Sequence, residues 1–382
     1  MLRQKLAKKL ILAKSEMVRK TLLRENQSQA DEKLALAIKE ICYAAWTTEP
    51  TKAQSAACAL QSLVKFNPNN EIKAFSFWVS GIAEITKGKL ESAIKNLDKS
   101  AEIFRSINKE HEAAQTQNSK IYALALIGSY DEAIEIGKNI LKVFEKYGDE
   151  FTAGKIEHNI GNIFYRRDYY KQAQQYYEVA RKRYSKLNDQ KHIIMVENSL
   201  AVVLALQNDF GKAEKLYQQT LKRAKAEEMF VTQAEIEASM GNLAFFRGKL
   251  DQALNFLELS RQKYENLKMP HQSSVAELEI ANIYLELNLA EEAFSIYEKV
   301  TKELHTLKMQ SEEAQARANF GRVATLLNET NIAKDELKKS ARLYVAEKNK
   351  IGAAVVKLTQ ANLELNSQKY KNALILVKEA EK

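Results

Sequence analysis

The sequence predicts an all-α solenoid of 40-residue helix-turn-helix hairpins, and three observations support that reading. Ala93, Ala133, Ala173, Ala213, Ala253, Ala293, Ala333 and Ala373 fall at a strict interval of 40, each opening the second of two runs with helical apolar spacing. Twelve residues before these markers stand Gly81, Ile121, Gly161, Ala201, Gly241, Ala281, Gly321 and Ala361, small in seven of eight cases. Only three prolines and twelve glycines occur in 382 residues, too few for an all-β chain. Two helices approach to about 8–10 Å only where the facing side chains are small, so the paired small residues mark the helix contact within each hairpin. Three residues before the markers come Leu90, Tyr130, Tyr170, Phe210, Leu250, Ala290, Thr330 and Tyr370, mostly large side chains that fill the wedge between hairpins. A fixed period overrides the two or three domains that the length alone suggests, and it predicts one continuous body without a hinge.

From the N-terminus, Leu6, Leu10, Met17 and Leu22 recur at helical spacing among basic residues, predicting one amphipathic helix between Leu2 and Leu23. Residues 1–30, read as a basic N-terminal cap, hold eight Lys/Arg against two acids, most of the net charge of +9. Such a helix either caps the array with a solvated basic face or meets a membrane surface or an acidic partner. Asn26 to Ala30 reads as a loop. Residues 31–70 form a degenerate first pair, Glu32 to Trp46 and Thr51 to Phe66, broken at Pro50 and ended near Pro68, with Ala53 40 residues before Ala93.

Eight hairpins then fill residues 71–382. Gly88, Gly128, Asp168, Asn208, Gly248, Asn288 and Asn328 supply turns within hairpins, and Asn108, Gly148, Asn188, Asp189, Met269, Pro270 and Asn349 mark the boundaries between them. The last hairpin lacks a capping helix. Leu374, Ile375 and Val377 lie where a following hairpin would pack, which predicts a continuing chain such as a peptidase domain, a homodimer contact or another partner at that end.

Several function classes are disfavoured. Beyond residue 30 the chain is nearly neutral, so no general polyanion-binding surface is expected. Cys42 and Cys58 make no disulfide framework and read as two small buried thiols in a reducing compartment. No apolar run of about 18 residues and no signal peptide is present, which predicts a cytoplasmic chain with no membrane span. His111, His158, His192, His271 and His305 show no metal-ligand spacing, and there is no phosphate loop, dinucleotide fingerprint or zinc motif. No catalytic residue, metal or cofactor is therefore expected, and no enzyme. Arg166, Arg167, Lys171, Arg181, Lys182, Arg183 and Lys186, interleaved with Tyr165, Tyr169, Tyr176 and Tyr184, could grip single-stranded nucleic acid. Yet Tyr170, Tyr177 and Tyr184 keep the packing phase of the repeat, which argues for core aromatics beside a solvated basic helix and against nucleic acid.

The small-residue, aromatic and Ala pattern of IGNIFYRRDYYKQAQQYY, from Ile160 to Tyr177, resembles the tetratricopeptide repeat, stretched from about 34 residues to 40. The resemblance implies a right-handed superhelix whose first helices line an inner, concave wall. Asn is a mediocre helix former, several tenths of a kcal/mol worse than Ala, yet it recurs on those helices. Eleven residues before the marker come Asn162, Asn242, Asn282 and Asn362, with Arg322 in the same series and Ile82, Tyr122 and Val202 breaking it; four residues earlier come Asn118, His158 and Asn198. A ladder of amides on that wall can pair with the N–H and C=O groups of an extended peptide, or the amides can cap and bridge neighbouring helices. The candidate residues for binding a protein or extended peptide are Asn118, Tyr122, His158, Asn162, Tyr165, Arg166, Asn198, Asn242, Phe245, Asn282 and Arg322.

HNIGNIFYRRDYYKQAQQYYEVARKRY from His158, NSLAVVLALQNDFGKAEKLYQQTL from Asn198, MGNLAFFRGKLDQAL from Met240 and ELEIANIYLELNLAEEAF from Glu277 resemble the N-terminal array of bacterial CHAT-domain proteins. In those proteins a caspase-like cysteine peptidase follows such repeats. The resemblance implies a sensing or regulatory region that controls the peptidase, although no residue here matches the peptidase His or Cys. Two other readings are a peptide-pheromone receptor of the same repeat type and a plain assembly scaffold.

Overall fold

The structure, a computed structural model, describes residues 2–46, 49–346 and 349–381. It contains twenty α-helices and one 3-10 turn, with no strand among the described residues. From Leu90–Ser106 to Lys350–Asn366 every helix is 17 residues long and is followed by three residues before the next. The backbone therefore repeats every 20 residues, because the described turns within and between hairpins share one geometry. The middle residue of the turn is left-handed, as at Gly88 (φ 71°), Asp168 (φ 59°), Asn188 (φ 54°) and Asn288 (φ 58°). Around Asp168 the amide of Tyr169 donates to the Phe164 carbonyl at 2.9 Å and that of Asp168 to the Tyr165 carbonyl at 3.0 Å. This is the paired closure that satisfies the last carbonyls of a helix. Glu228, Lys268 and Lys308 adopt the same conformation with φ of 52–59° although their types do not announce it. The paired closure there outweighs the Cβ penalty, about 1–2 kcal/mol, of the left-handed region.

The expectation of one undivided body gives way to two compact units, Met1–Val203 and Leu204–Lys382. In an array whose hairpins contact mainly their neighbours, no single core binds the whole chain together. In the first unit the N-terminal segment forms two helices, Leu2–Leu12 and Glu16–Glu25, and not one. The Ser15 hydroxyl accepts from the Val18 amide at 3.3 Å and starts the second, while the Arg19 guanidinium donates to the carbonyls of Leu10 (3.2 Å) and Ala13 (2.8 Å) at the end of the first. Leu6, Leu10 and Leu23 are buried, but Met17 is 80% exposed. Asp31 caps Glu32–Ala45 by accepting from the Leu34 amide and also receives Arg3 at 2.8 Å. Pro50 occupies the first turn of Pro50–Phe66, where its missing N–H costs nothing.

Within hairpins the small residues work by direct contact. Every marker alanine from Ala93 to Ala333 is fully buried. A Cβ at Gly161 would lie 2.5 Å from the Tyr177 ring, and at Gly81, Gly241 and Gly321 it would lie 2.7, 2.8 and 2.5 Å from Leu97, Leu257 and Leu337, four residues after the marker. The carbonyls of Ala93, Ala253 and Ala333 stand over the same glycines at 3.2–3.4 Å from that position. The exception, Ile121, is explained by Gly137: here the small residue has moved to the second helix, and a Cβ on it would meet Ile160 at 2.9 Å and Ile121 at 3.5 Å. A second tie recurs seven residues after the marker, where Ser100, Ser260 and Ser340 donate to the carbonyls of Ala74, Ala234 and Ala314 at 2.7, 2.9 and 2.7 Å. At the end of the second unit, Tyr370–Ala380 leaves Leu374 57% and Ile375 56% exposed, with Val377 half-buried.

Replacing Ala173 or Ala213 with Leu puts extra volume into a contact with no free space. Each variant is expected to lose about 1–3 kcal/mol of stability in chemical denaturation, and unchanged midpoints for both would refute the register.

Candidate functional site

In the first unit the candidate residues lie on the first helices Glu110–Leu126, Glu150–Arg166 and Gln190–Leu206. The Asn118 Oδ1 accepts from the Asn159 amide at 2.9 Å, joining adjacent first helices. His158 Nε2 lies 3.0 Å from the Ser199 hydroxyl, and its ring meets Tyr177 edge-on with centroids 5.4 Å apart. Asn162 accepts from the Tyr177 hydroxyl at 2.8 Å. The Asn198 side-chain oxygen is buried with no hydrogen-bond partner among the described residues. Tyr122 is 43% exposed and edge-on to Trp46 at 5.1 Å. Tyr165 and Arg166 are exposed at the end of their helix, Tyr165 beside Tyr170. Burial, with a smaller contribution from the charge of His192, pushes the His158 imidazole down to about 4.

In the second unit the candidates lie on the first helices Phe230–Phe246, Pro270–Glu286 and Gln310–Leu326. Asn282 sits at the centre of a network: its Oδ1 accepts from the Tyr297 hydroxyl at 2.6 Å and the Asn319 amide at 2.9 Å, and its own amide donates to Glu279 at 3.3 Å. Asn242 is exposed, makes no such bond, and lines a cavity of about 360 Å³ with Leu257, Tyr264, His271 and Glu279. Burial raises the Glu279 carboxyl above the usual carboxylate range and Tyr264 to about 12. Phe245 is half-buried and packs on the core around Ala253 and Leu257, so it presents less to a ligand than expected. Arg322 is exposed, 3.6 Å from Glu286.

The amides thus divide into two kinds. Asn162 and Asn282 serve the tyrosines four residues after the marker, whose rings are fully or almost fully buried and need an acceptor. Asn242 faces the hairpin that has Leu257 at that position, and has no hydroxyl to satisfy. Sequence reasoning missed this pairing, although the signal is present: Asn and Tyr recur 15 residues apart at 162/177 and 282/297. It also missed Asn159, Asn319, Ser119 and Ser199, which fall outside the two phases considered.

Among the described residues, three of the seven cations in the basic cluster around Arg183 have acidic partners. Arg183 contacts Glu145, Glu150 and Glu157 at 2.5, 2.7 and 2.9 Å, Arg167 contacts Asp131 at 2.5 Å, and Arg181 lies 3.9 Å from Glu197. Of the thiols, only Cys42 is buried, its pKa pushed up to about 12 by desolvation; Cys58, expected to be buried, is exposed in a groove beside Phe77 and Ser80. Among the described residues no three His, Cys, Asp or Glu are placed to hold a metal, and no helix is long and apolar enough to cross a membrane.

Residues 152–226 match the tetratricopeptide repeat family model. No curated protein sequence matches the chain. Among solved structures, a Rap protein complexed with competence and sporulation factor is similar with a TM-score of 0.61 and 14% identity, covering 92% of this chain and 97% of its own. The apo quorum sensor NprR from B. thuringiensis has a TM-score of 0.61 and 16% identity, with 94% and 98% covered. The Rap conjugation gene regulator of plasmid pLS20, in complex with the Phr* peptide, has a TM-score of 0.54 and 14% identity, with 99% and 93% covered.

Two outcomes test this division. Asn282→Ala strips an acceptor from the buried Tyr297 hydroxyl and should cost about 1–3 kcal/mol, whereas Asn242→Ala should be neutral or gain several tenths by helix propensity. Comparable denaturation midpoints for the two variants would overturn the assignment. Because the folded pKa of His158 lies below its unfolded value of about 6.5, its contribution is intact above that value and is lost as pH falls toward 4. Thermal midpoints of the parent should therefore fall more steeply than those of His158→Gln between about pH 6.5 and 4.

Proposed function

Because the chain is a solenoid of tetratricopeptide repeats, we propose that it is a non-catalytic receptor for an extended peptide, bound along the first helices. The single observation behind this reading is that each unit carries an uncommitted amide on a first helix: Asn198 in the first, with a buried oxygen lacking a donor among the described residues, and Asn242 in the second, exposed at a cavity. A buried unpaired oxygen costs about 1–3 kcal/mol, and a peptide N–H supplies the missing donor. Asn162 and Asn282 then shape the wall through their tyrosines. Asn118, Tyr122, His158, Tyr165 and Arg166 in the first unit, and Arg322 and, in part, Phe245 in the second, form the surroundings in which side chains of a peptide on that unit are read. The near whole-chain likeness to a regulator solved with the Phr* peptide and to a quorum sensor supports a sensing role. Two free cysteines suit a cytoplasmic setting.

The resemblance to bacterial CHAT-domain arrays supports a second use of the same surface, in which peptide or partner capture controls a caspase-like peptidase. In that reading the exposed Leu374 and Ile375, with Val377 beside them, receive the controlled domain or a second copy. Peptides selected from a random library on the immobilised protein provide the test by calorimetry. Asn198→Ala with Asn242→Ala should weaken binding about tenfold or more while preserving the fold. If no peptide is selected, or if the double variant binds as the parent does, the receptor reading fails.

A further inference from the structure

We propose that the groove between the second helices Pro50–Phe66 and Leu90–Ser106 is a binding site for a low-molecular-weight thiol bearing a carboxylate, which Cys58 captures as a mixed disulfide. The site goes beyond the peptide reading and does not depend on it. Asn70–Ile85 forms the floor of the groove, whose volume of about 760 Å³ falls within the range of about 300–1,000 Å³ usual for small-molecule sites. The opposite side of that helix is already committed: Trp78 Nε1 donates to the Ser119 hydroxyl at 3.0 Å, and the Tyr43 hydroxyl lies 2.7 Å from the same oxygen. Lys73, Ser76 and Ser80, spaced by three and four residues, lie on the side away from Trp78 and line the groove. The space exists because this repeat lacks the side chains that fill it elsewhere. At the phase of Ser80, later repeats place Ile160, Leu200, Met240, Ile280 and Phe320, and at that of Ser76 they place Ile156, Val196 and Ile236, all buried. One hairpin on, the positions of Cys58 and Ser80 are taken by Asp98 and Lys120, whose ion pair at 3.0 Å bridges the equivalent gap. Cys58 and Ser80 thus stand on facing walls of a groove that no such pair bridges.

The lining calls for a polar, anionic occupant. Ser76 is 8% exposed, and its hydroxyl has no hydrogen-bond partner among the described residues. Neighbouring buried serines are committed, Ser62 to the Cys58 carbonyl at 3.1 Å and Ser100 to the Ala74 carbonyl at 2.7 Å. An aliphatic occupant would leave the Ser76 hydroxyl unsatisfied, whereas a carboxylate accepts from it. Three lysines and one acid line the groove. Lys65 is held by Glu16 at 2.7 Å and Lys87 by Glu84 at 3.0 Å, but Lys73 is half-buried and has no ion-pair partner among the described residues. Lys73 and Ser76, one turn apart, therefore supply the charge and the donor for a carboxylate, and Cys58 supplies the covalent bond. The exposed Cys58 thiol gives up its proton to solvent, and its sulfur attacks the disulfide form of the small thiol. The S–S bond of that disulfide breaks as a new S–S bond to Cys58 forms, and the released half leaves as a thiolate that takes up a proton. Cys58 is thereby oxidised and one half of the co-reactant reduced, and excess thiol reverses the step. Cys42 takes no part, because it is buried and desolvation pushes its pKa up to about 12. One adduct per chain is the consequence.

Mass spectrometry of the intact chain follows adduct formation by three symmetric disulfides of similar size: dithiodipropionate, which is anionic, bis(2-hydroxyethyl) disulfide, which is neutral, and cystamine, which is cationic. Each rate is divided by that of the same reagent with N-acetylcysteine amide, which removes the intrinsic differences among the reagents. On this scale the anionic disulfide should modify Cys58 about tenfold faster than the neutral one and the cationic disulfide more slowly than either, with added salt shrinking the difference. Lys73→Met should abolish the preference. Ser80→Leu, which installs the side chain found at Leu200, should fill the groove and abolish the preference without lowering the thermal midpoint. If that variant misfolds, Lys73→Met decides alone. Cys58→Ser should form no adduct. Equal relative rates for the three reagents in the parent, an adduct that forms on Cys42 in place of Cys58, or a preference that survives Lys73→Met or a folded Ser80→Leu overturns the site and leaves the peptide reading standing.

Discussion

The structure depends on one repeated contact: in four hairpins the bare backbone of the first helix lies against the side chain four residues after the marker alanine. The room for it comes from a missing Cβ at Gly81, Gly161, Gly241 and Gly321, and from Gly137 on the opposite helix where Ile121 fills the usual place. Leu97, Leu257, Leu337 and Tyr177 then reach across the hairpin and seal it. Everything else in a hairpin is arranged around that distance, including the serine hydroxyls that tie the second helix back to carbonyls of the first.

The same position links packing to the polar side chains of the first helices. Where the crossing side chain is Leu257, it brings no hydroxyl, and the Asn242 amide beside it on the first helix is left over. At Tyr177 and Tyr297 the ring brings a hydroxyl into the interior, and Asn162 or Asn282 is spent on satisfying it. In these three hairpins the choice of Leu or Tyr in the core thereby decides whether the neighbouring Asn is bonded in the interior or lines a cavity. The polar wall is consequently a by-product of how each hairpin is filled as much as a separate design.

The fold was legible because its determinants are local and repeated: a small residue misplaced by one position would break a period seen eight times. Turn chemistry was legible at Gly88 or Asn288 but not at Lys268 or Lys308, where the paired closing hydrogen bonds set the conformation and the residue merely tolerates it. The break at Ser15 was hidden because Leu6, Leu10 and Leu22 keep helical spacing across it, while the decisive cap and the Arg19 contacts depend on tertiary placement. Exposure of Cys58 likewise depends on a groove that no local pattern announces. The candidate site was only half legible. Composition along the first helices identified amides, but their partners lie about 15 or 40 residues away, so which amides are occupied follows from packing alone.

The convergence of Tyr43 and Trp78 on Ser119 has a kinetic consequence. Most contacts in such an array join adjacent hairpins, so assembly can begin at any point and spread along the chain. The Tyr43–Ser119 bond spans 76 residues and Trp46 meets Tyr122 across a similar interval, so neither can form until the intervening hairpin is in place. This corner of the N-terminal unit is therefore among the last parts to assemble and acts as a clasp on curvature already formed. A molecule that binds only the closed clasp would slow its opening, and local unfolding of that end would in turn release whatever the clasp holds.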